Sequence, residues 1–486
     1  MAEQARYRFE PSARRGLLLG LGGAQLAVIG CCALVALGSL KKWPGTTGFM
    51  AAVLAMGLAL VLCRPVAGRS PVQWAGVGAQ FAFRRRSHAS VPPGNSQVRL
   101  AGEGGVPAEG LPPQLRGFGP MALRLPAPTF VRGAYLNELP PADGQGPIGV
   151  VVDERSGTAA ALLRARGDAC CLLDDAAMEG KLAAWAAVLE SVSSHRSPLV
   201  RLQWCQRAVP GDSDPLLAHL RGAGDHASPG YSGHAALLAK AGQNAWRHET
   251  FLVVALRCPL RRGRLTKQGA GVVRSEVRAL RARMHNAGIG CDGLLDARST
   301  AAALGNFLTP GLDRYPAAHP WPLAVREYWS ELRADGYWYR TYWVAEWPRS
   351  HVGPDFLSPL LVGTGRRSFA VVMAPVAPER AVRDAESSRT AQLADAQLRA
   401  QGGFLETAQH RRRAEALEGR EAQLAEGRGA FELAGYVTVS SADKAGLDQA
   451  CSELERAAGA ARLCLRPLFG QQREALGWAL PFGRGL

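Results

Sequence analysis

The chain has 486 residues, with 57 Lys and Arg against 41 Asp and Glu, a formal charge of +16 and a pI near 9.8. The charge invites a nucleic-acid reading, but no zinc-finger spacing, basic-zipper heptad or RNP-type aromatic motif accompanies it, and part of the excess sits beside apolar stretches near the amino terminus. The ten cysteines include no C-x-x-C pair and lie mostly in apolar runs, which suits small buried hydrophobes in a reducing compartment.

Two apolar stretches, Gly16 to Leu40 and Gly48 to Cys63, are joined by the short polar turn from Lys41 to Thr47. The first is long enough to cross a hydrocarbon core of roughly 30 Å, and the second manages it by borrowing Thr46 and Thr47 or by local thinning. Arg6, Arg8, Arg14 and Arg15 precede the pair, and Arg64, Arg69 and Arg84-Arg85-Arg86 follow it. This asymmetry predicts a two-pass inner-membrane protein with both termini cytoplasmic. Small residues recur every fourth position at Gly16, Gly20 and Ala24 and at Ala51, Ala55 and Ala59, a spacing that lets helix backbones approach.

After the hairpin, Trp74, Val77 and Phe81 define one face of a short helix that ends on the three arginines. It is read either as an interfacial helix with its arginines on anionic lipid, or as a soluble linker helix. Residues 1–86 thus form the membrane hairpin with its basic amphipathic segment. Residues 87–146 are a Gly/Pro-rich linker with a strand near Phe130.

A first cytosolic α/β domain is expected over 147–310. Its strands are Ile148 to Val152, Thr158 to Arg164, Ala169 to Leu173, Leu199 to Ala208 and Thr250 to Cys258. Its helices are Asp174 to Ser193, Ser232 to Ala245 and Val272 to Asn286. A second, α+β domain follows over 311–486. It has strands at Tyr337 to Pro348, Ser368 to Met373, Phe431 to Ser440 and Arg462 to Leu465, and a helix at Ala445 to Ala458. Two charged helices, Glu379 to Gln401 and Glu406 to Glu426, are expected to form an antiparallel hairpin reaching into solvent or toward a partner. The fold class is α+β: a two-helix transmembrane hairpin followed by layered sheet-and-helix domains.

Chemistry-bearing patterns are few. Arg257, Arg261, Arg262, Arg264 and Lys267 form a basic loop cluster able to touch phosphate or an acidic partner, or simply to stay solvated. The aromatic run from Tyr337 to Trp347 is either a platform for bases or sugars or a core strand with one half-exposed face, the second being favoured. His219, His226 and His234 are too loosely spaced to predict a metal site, and Cys170-Cys171, adjacent in a strand-like run, point to opposite faces. There is no G-x-S-x-G elbow and no H-E-x-x-H helix, and Asp174-Asp175 and Glu415 with Glu418 fit a helix cap and a solvated face. No catalytic, cofactor-binding or metal residue is predicted.

Four stretches carry a resemblance: Tyr337 to Pro348; Phe369 to Pro375 with the helix pair ending near Arg420 to Ala425; Gly435 to Val439; and Gly470-Gln471-Gln472 to Leu480-Pro481-Phe482-Gly483. Together with the amino-terminal hairpin they resemble an actinobacterial family of conjugation and type VII-like secretion proteins. The hairpin is similar to PrgI-type proteins, its layout with the body to EccE, and the body to the non-motor domain of TrbE/CagE-type ATPases. One departure matters: no G-x-x-x-x-G-K-[ST] loop is present, and Gly363 to Ser368 lacks both its spacing and its lysine. The resemblance implies a non-catalytic, oligomeric machine component that docks a separate motor ATPase and other membrane subunits. A membrane-bound nucleotide-sugar enzyme and a membrane-tethered nucleic-acid binder are the alternatives.

Overall fold

The computed structural model describes residues 23–43, 45–64, 68–88, 131, 133–142, 144–166, 173–193, 197–210, 214–244, 246–308, 322, 325–363, 365–401 and 408–486. Gly16 to Gly22, the arginines before them, most of the linker with Phe130, and Cys170-Cys171 lie outside these residues, as do the side chains of Arg85 and Arg86.

Helices α1 (Gly23–Lys42) and α2 (Thr46–Cys63) are each long and apolar enough to cross a membrane. They pack antiparallel. Gln25 Nε2 donates to the Cys63 carbonyl at 3.2 Å at one end, and Ser39 Oγ to the Gly48 carbonyl at 3.4 Å at the other. The expected small-residue face on α2 is the packed one: Ala55 and Ala59 are buried, whereas Leu54, Leu60 and Met50 are more than 70% exposed.

Helix α3 (Pro71–His88) leads to a mixed helix-and-sheet body. Its first part contains β1 (Ala134–Leu139), β2 (Ile148–Asp153), β3 (Thr158–Ala165), α4 (Asp175–Val192), β4 (Leu199–Pro210), α5 (Asp214–Ala223), α6 (Tyr231–Asn244) and β5 (Trp246–Arg257). A small ribbon of β6 (Leu260–Arg261) and β7 (Arg264–Leu265) follows, then α7 (Lys267–Asn286), β8 (Cys291–Leu294) and α8 (Ala297–Leu308). The second part contains β9 (Val325–Glu327), β10 (Leu332–Ala334), β11 (Tyr337–Glu346), α9 (Ser358–Leu361), β12 (Arg367–Val376), α10 (Pro378–Gln401) and α11 (Ala408–Ala425). It closes with β13 (Ala430–Ser441), α12 (Lys444–Ala460), β14 (Cys464–Pro467) and α13 (Gln472–Ala479).

Both parts join one antiparallel sheet in the order β1-β2-β3-β5-β4-β12-β13-β11-β10-β9, with β8 beside β3 and β14 beside β11. Alternation along each strand feeds two cores. Phe251, Val253 and Ala255 face α8 and the carboxy-terminal segment, while Leu252, Val254 and Leu256 face α4 and α7. On the latter face, Val437 and Val439 pack against Leu447, Cys451 and Leu454 of α12. Side-chain caps start these helices where the sequence places a short polar residue: the Ala177, Gly269 and Gly446 N–H groups donate to Asp174, Thr266 and Asp443.

The sheet order reads the same from either edge. β1 to β5 with β8 correspond to β9 to β13 with β14, and α4, α7 and α8 to α9, α12 and α13. Hydrogen bonds repeat as well. The Leu295 N–H donates to the Leu162 carbonyl just before α8, as the Leu468 N–H does to the Thr341 carbonyl just before α13. Glu138 on β1 accepts the Ala297 N–H at the start of α8, and Glu327 on β9 accepts the Arg473 N–H in the first turn of α13. Following the ladders from Leu162 and Thr341 inward makes Cys205 the counterpart of Ala370, and these two face each other in the β4–β12 ladder. The body is therefore a tandem structural repeat about an internal twofold, self-complementary like a symmetric dimer interface.

Each repeat carries a two-helix insertion between its innermost strands, α5–α6 in the first and α10–α11 in the second. Among the described side chains α10 buries only Ala381 and Ala385 near its base, and Arg389 pairs with Glu421 across to α11, so this hairpin projects as the charge pattern predicts. The expected boundaries at 146/147 and 310/311 are not breaks in backbone pairing. β1 belongs to the sheet because Ala134, Leu136 and Leu139 are buried in it, and the β4–β12 ladder carries the sheet across the second boundary.

Candidate membrane-to-body junction

The apolar face of α3 is covered by the body. Trp74 lies 5.9 Å from Trp329 and 6.1 Å from Phe469 between ring centroids, and Phe81 meets Trp329 edge-on at 5.3 Å. Val77 fits beside Gly470, which has a φ of +68°; a Cβ there would approach the Trp329 ring to 2.7 Å and the Val77 side chain to 3.0 Å. The interfacial expectation is corrected at this point: the face meant for the headgroup boundary packs on the loops before β10 and α13. Half-burying three apolar side chains against aromatic rings favours that docking.

Polar contacts fix the register of α3. Arg84 pairs with Glu474, lies 4.0 Å from Glu327 and donates to the Gly470 carbonyl. Arg69 sits over the Trp74 ring and donates to Gln471 Oε1 at 2.9 Å. Burial pushes the Glu327 carboxyl above the ordinary glutamate range against the pull of Arg473, and burial lowers the Arg473 guanidinium. Arg69 is lowered by burial and by neighbouring Arg466. The cluster holds cations and carboxylates in alternation, which suits a clamp.

The closing segment, singled out in the sequence as Gly470-Gln471-Gln472 to Leu480-Pro481-Phe482-Gly483, locks the back of this junction. Buried Gln472 exchanges hydrogen bonds with the Thr341 backbone, accepting its N–H at 2.8 Å and donating to its carbonyl at 3.2 Å. Gln203, fully buried on β4, donates to the Trp478 and Leu480 carbonyls and accepts the Gly483 N–H at 2.7 Å. Reciprocally, the Tyr339 hydroxyl of the second repeat donates to the Leu308 carbonyl of the first. Each repeat thus secures the last helix of the other.

The remaining sequence candidates fall in separate places. Tyr339 and Tyr342 are each 1% exposed, so the aromatic strand is a core strand there. The turn at Gly363 to Ser368 is filled by Arg367, whose Nη1 donates to the Leu360 carbonyl at 3.0 Å. His226 packs on Tyr231 and bonds the Arg221 carbonyl, while His219 and His234 are exposed; among the described residues no group of three metal-ligating side chains converges. Cys205, Cys258 and Cys451 are buried, and burial raises the Cys258 thiol to about 11, whereas Cys464 is exposed. Asp174 is a helix cap and Glu415 and Glu418 are exposed on α11, as expected. The basic cluster from Arg257 to Lys267 occupies the end of β5 and the β6–β7 ribbon.

The sequence reading missed Trp329, Glu327 and Phe469 as partners of α3. The isolated Trp329 beside charged residues was their only trace. No protein-family model matches the chain, and comparison with curated proteins finds no match. The family resemblance therefore rests on the residue patterns alone.

Proposed function

We propose that the chain is a non-catalytic structural component of an inner-membrane secretion or conjugative DNA-transfer machine. The α1–α2 hairpin anchors it as a two-pass membrane protein with both termini cytoplasmic, and the body docks a separate motor ATPase and other membrane subunits. The observation that carries this reading is the α3 clamp. A linker helix wedged on Trp329 and Phe469 and paired with Glu474 transmits position from the bilayer to the body, which an anchor for a motor requires. The exposed leucines of α1 and α2 support lipid contact, and the projecting α10–α11 hairpin offers the motor a surface away from the core. The mechanism is positioning, with no bond made or broken.

Affinity purification of the full chain from detergent-extracted membranes, with mass spectrometry of what co-purifies, tests this. Stoichiometric recovery of a motor ATPase with other membrane subunits is the expected result. Recovery of the chain alone, or with turnover of a nucleotide sugar, contradicts it.

A further inference from the structure

The internal repeat allows the two halves to be matched place by place where β5 leads into α7 and β13 into α12. Val253 pairs with Leu162 as Thr438 pairs with Thr341, so Leu256 corresponds to Ser441. The helix caps align the next elements. The Gly269 N–H donates to Thr266 and the Gly446 N–H to Asp443, which makes Val272 and Val273 the counterparts of Gln449 and Ala450. Counting back from Cys205 and Ala370 matches Arg201 with Arg366.

Between these elements the halves differ. In the first, residues 258–266 form the β6–β7 ribbon, and Leu260 and Leu265 pack on the core that holds Leu256 and Val273. The ribbon sits on the start of α7: a Cβ on Gly269 would lie 2.7 Å from Leu265 Cδ1 and 2.9 Å from the Pro259 carbonyl oxygen. In the second, only Ala442 and Asp443 join β13 to α12, and the same place, over Gly446, is an open cavity of about 310 Å³.

Its lining is polar where the first repeat is apolar. Ser441 stands in place of Leu256 and Gln449 in place of Val272, with Ser440, Arg366 and Tyr337 across the end of the sheet. Hydroxyls and an amide gain nothing from being covered by apolar groups, so an apolar ribbon like the first repeat's does not suit this place; a segment with donors and acceptors of its own does. The charges select its kind. Arg366 lies over the Tyr337 ring at 5.3 Å, the Glu453 carboxylate on the far wall acts on the Arg367 guanidinium, and the amino-terminal end of α12 adds its positive pole. A carboxylate is the complement.

We infer that this cavity is a docking site for a partner subunit, which inserts a polypeptide turn bearing an aspartate or glutamate and so supplies to the second repeat in trans what the β6–β7 ribbon supplies to the first in cis. This rests on the reading of the chain as a machine component. The cavity lies at the start of β12, whereas α10 and α11 follow its end, so the contact is separate from the projecting hairpin.

Photocrosslinking of the full chain in its native membranes tests it, with p-benzoylphenylalanine in place of exposed Gln449 and, for comparison, of exposed Glu418 on α11. The expected result is one adduct from position 449, mapped by mass spectrometry to a turn with an aspartate or glutamate in a subunit that also co-purifies stoichiometrically. Arg366→Glu, and Ala442→Trp filling the mouth from an exposed position, are each expected to cut that adduct about ten-fold or more and to leave adducts from position 418 unchanged. Arg366→Lys, which keeps the charge, is expected to retain much of it. No adduct from position 449, or adducts that fall within this chain, scatter over many proteins or ignore every variant, overturn the docking site. Where subunits still co-purify, the machine reading stands without it. Where the chain purifies alone, both fall.

Discussion

Cys205 and Ala370 face each other across the β4–β12 ladder at the point about which the body repeats itself. Both are buried, and Ala370 packs in the core that includes Leu476, Leu480 and Phe482. A larger side chain there is forced on both repeats at once. Ala370→Leu is expected to cost about 1–3 kcal/mol in global stability, measured by denaturant unfolding, because the seam has no slack to absorb it.

Gln203 spends its whole amide on the other repeat's closing segment. Gln203→Leu keeps the approximate volume and removes these bonds, leaving the Trp478 and Leu480 carbonyls and the Gly483 N–H without their partner. The expected loss is about 1–3 kcal/mol, with hydrogen exchange rising first in residues 478–486.

Trp329 is the shared partner of Trp74 and Phe81. Trp329→Ala is expected to weaken docking of α3 by about 1–3 kcal/mol while leaving the melting temperature of the body nearly unchanged. Tryptic cleavage after Arg84 should accelerate about ten-fold or more, since cleavage tracks the population of the undocked helix.

Two nearby glutamates titrate in opposite directions. Burial raises Glu327, whereas at Glu331 burial is outweighed by hydrogen bonds from Lys444 and Arg340, so its carboxyl is lowered below the ordinary 4.5. The raised group contributes stability that is fully present below its unfolded value and lost as pH rises through its folded one. The lowered group contributes stability present above pH 4.5 and lost as pH falls through its folded value. Glu331→Gln is therefore expected to destabilise at pH 7 and become neutral in acid; Glu327→Gln is neutral in acid and gains on the wild type as pH rises. Unfolding free energies across pH 3–7 check both signs.

The strands and helices with a strong single period were legible. Thr250 to Cys258 and Phe431 to Ser440 stand where their continuous apolar and β-branched runs put them, and the charge pattern of α10 and α11 predicts their projection. The repeat was not legible, because equivalent positions differ in chemistry: Leu162 corresponds to Thr341 and Cys205 to Ala370, so backbone register is shared while side chains diverge. Short β9, β10 and α13 carry too few residues to show a period. The α3 face was visible, but its occupant was not, since Trp74, Val77 and Phe81 suit a lipid boundary and a protein groove equally.

Hydrogen exchange of residues 71–84 in the full chain, held in nanodiscs, tests the coupling of bilayer to body most directly. The clamp predicts slow exchange that persists in neutral lipid and is lost in Trp329→Ala. Fast exchange in the wild type, or protection that needs anionic lipid and ignores Trp329, would contradict it and return α3 to the membrane surface.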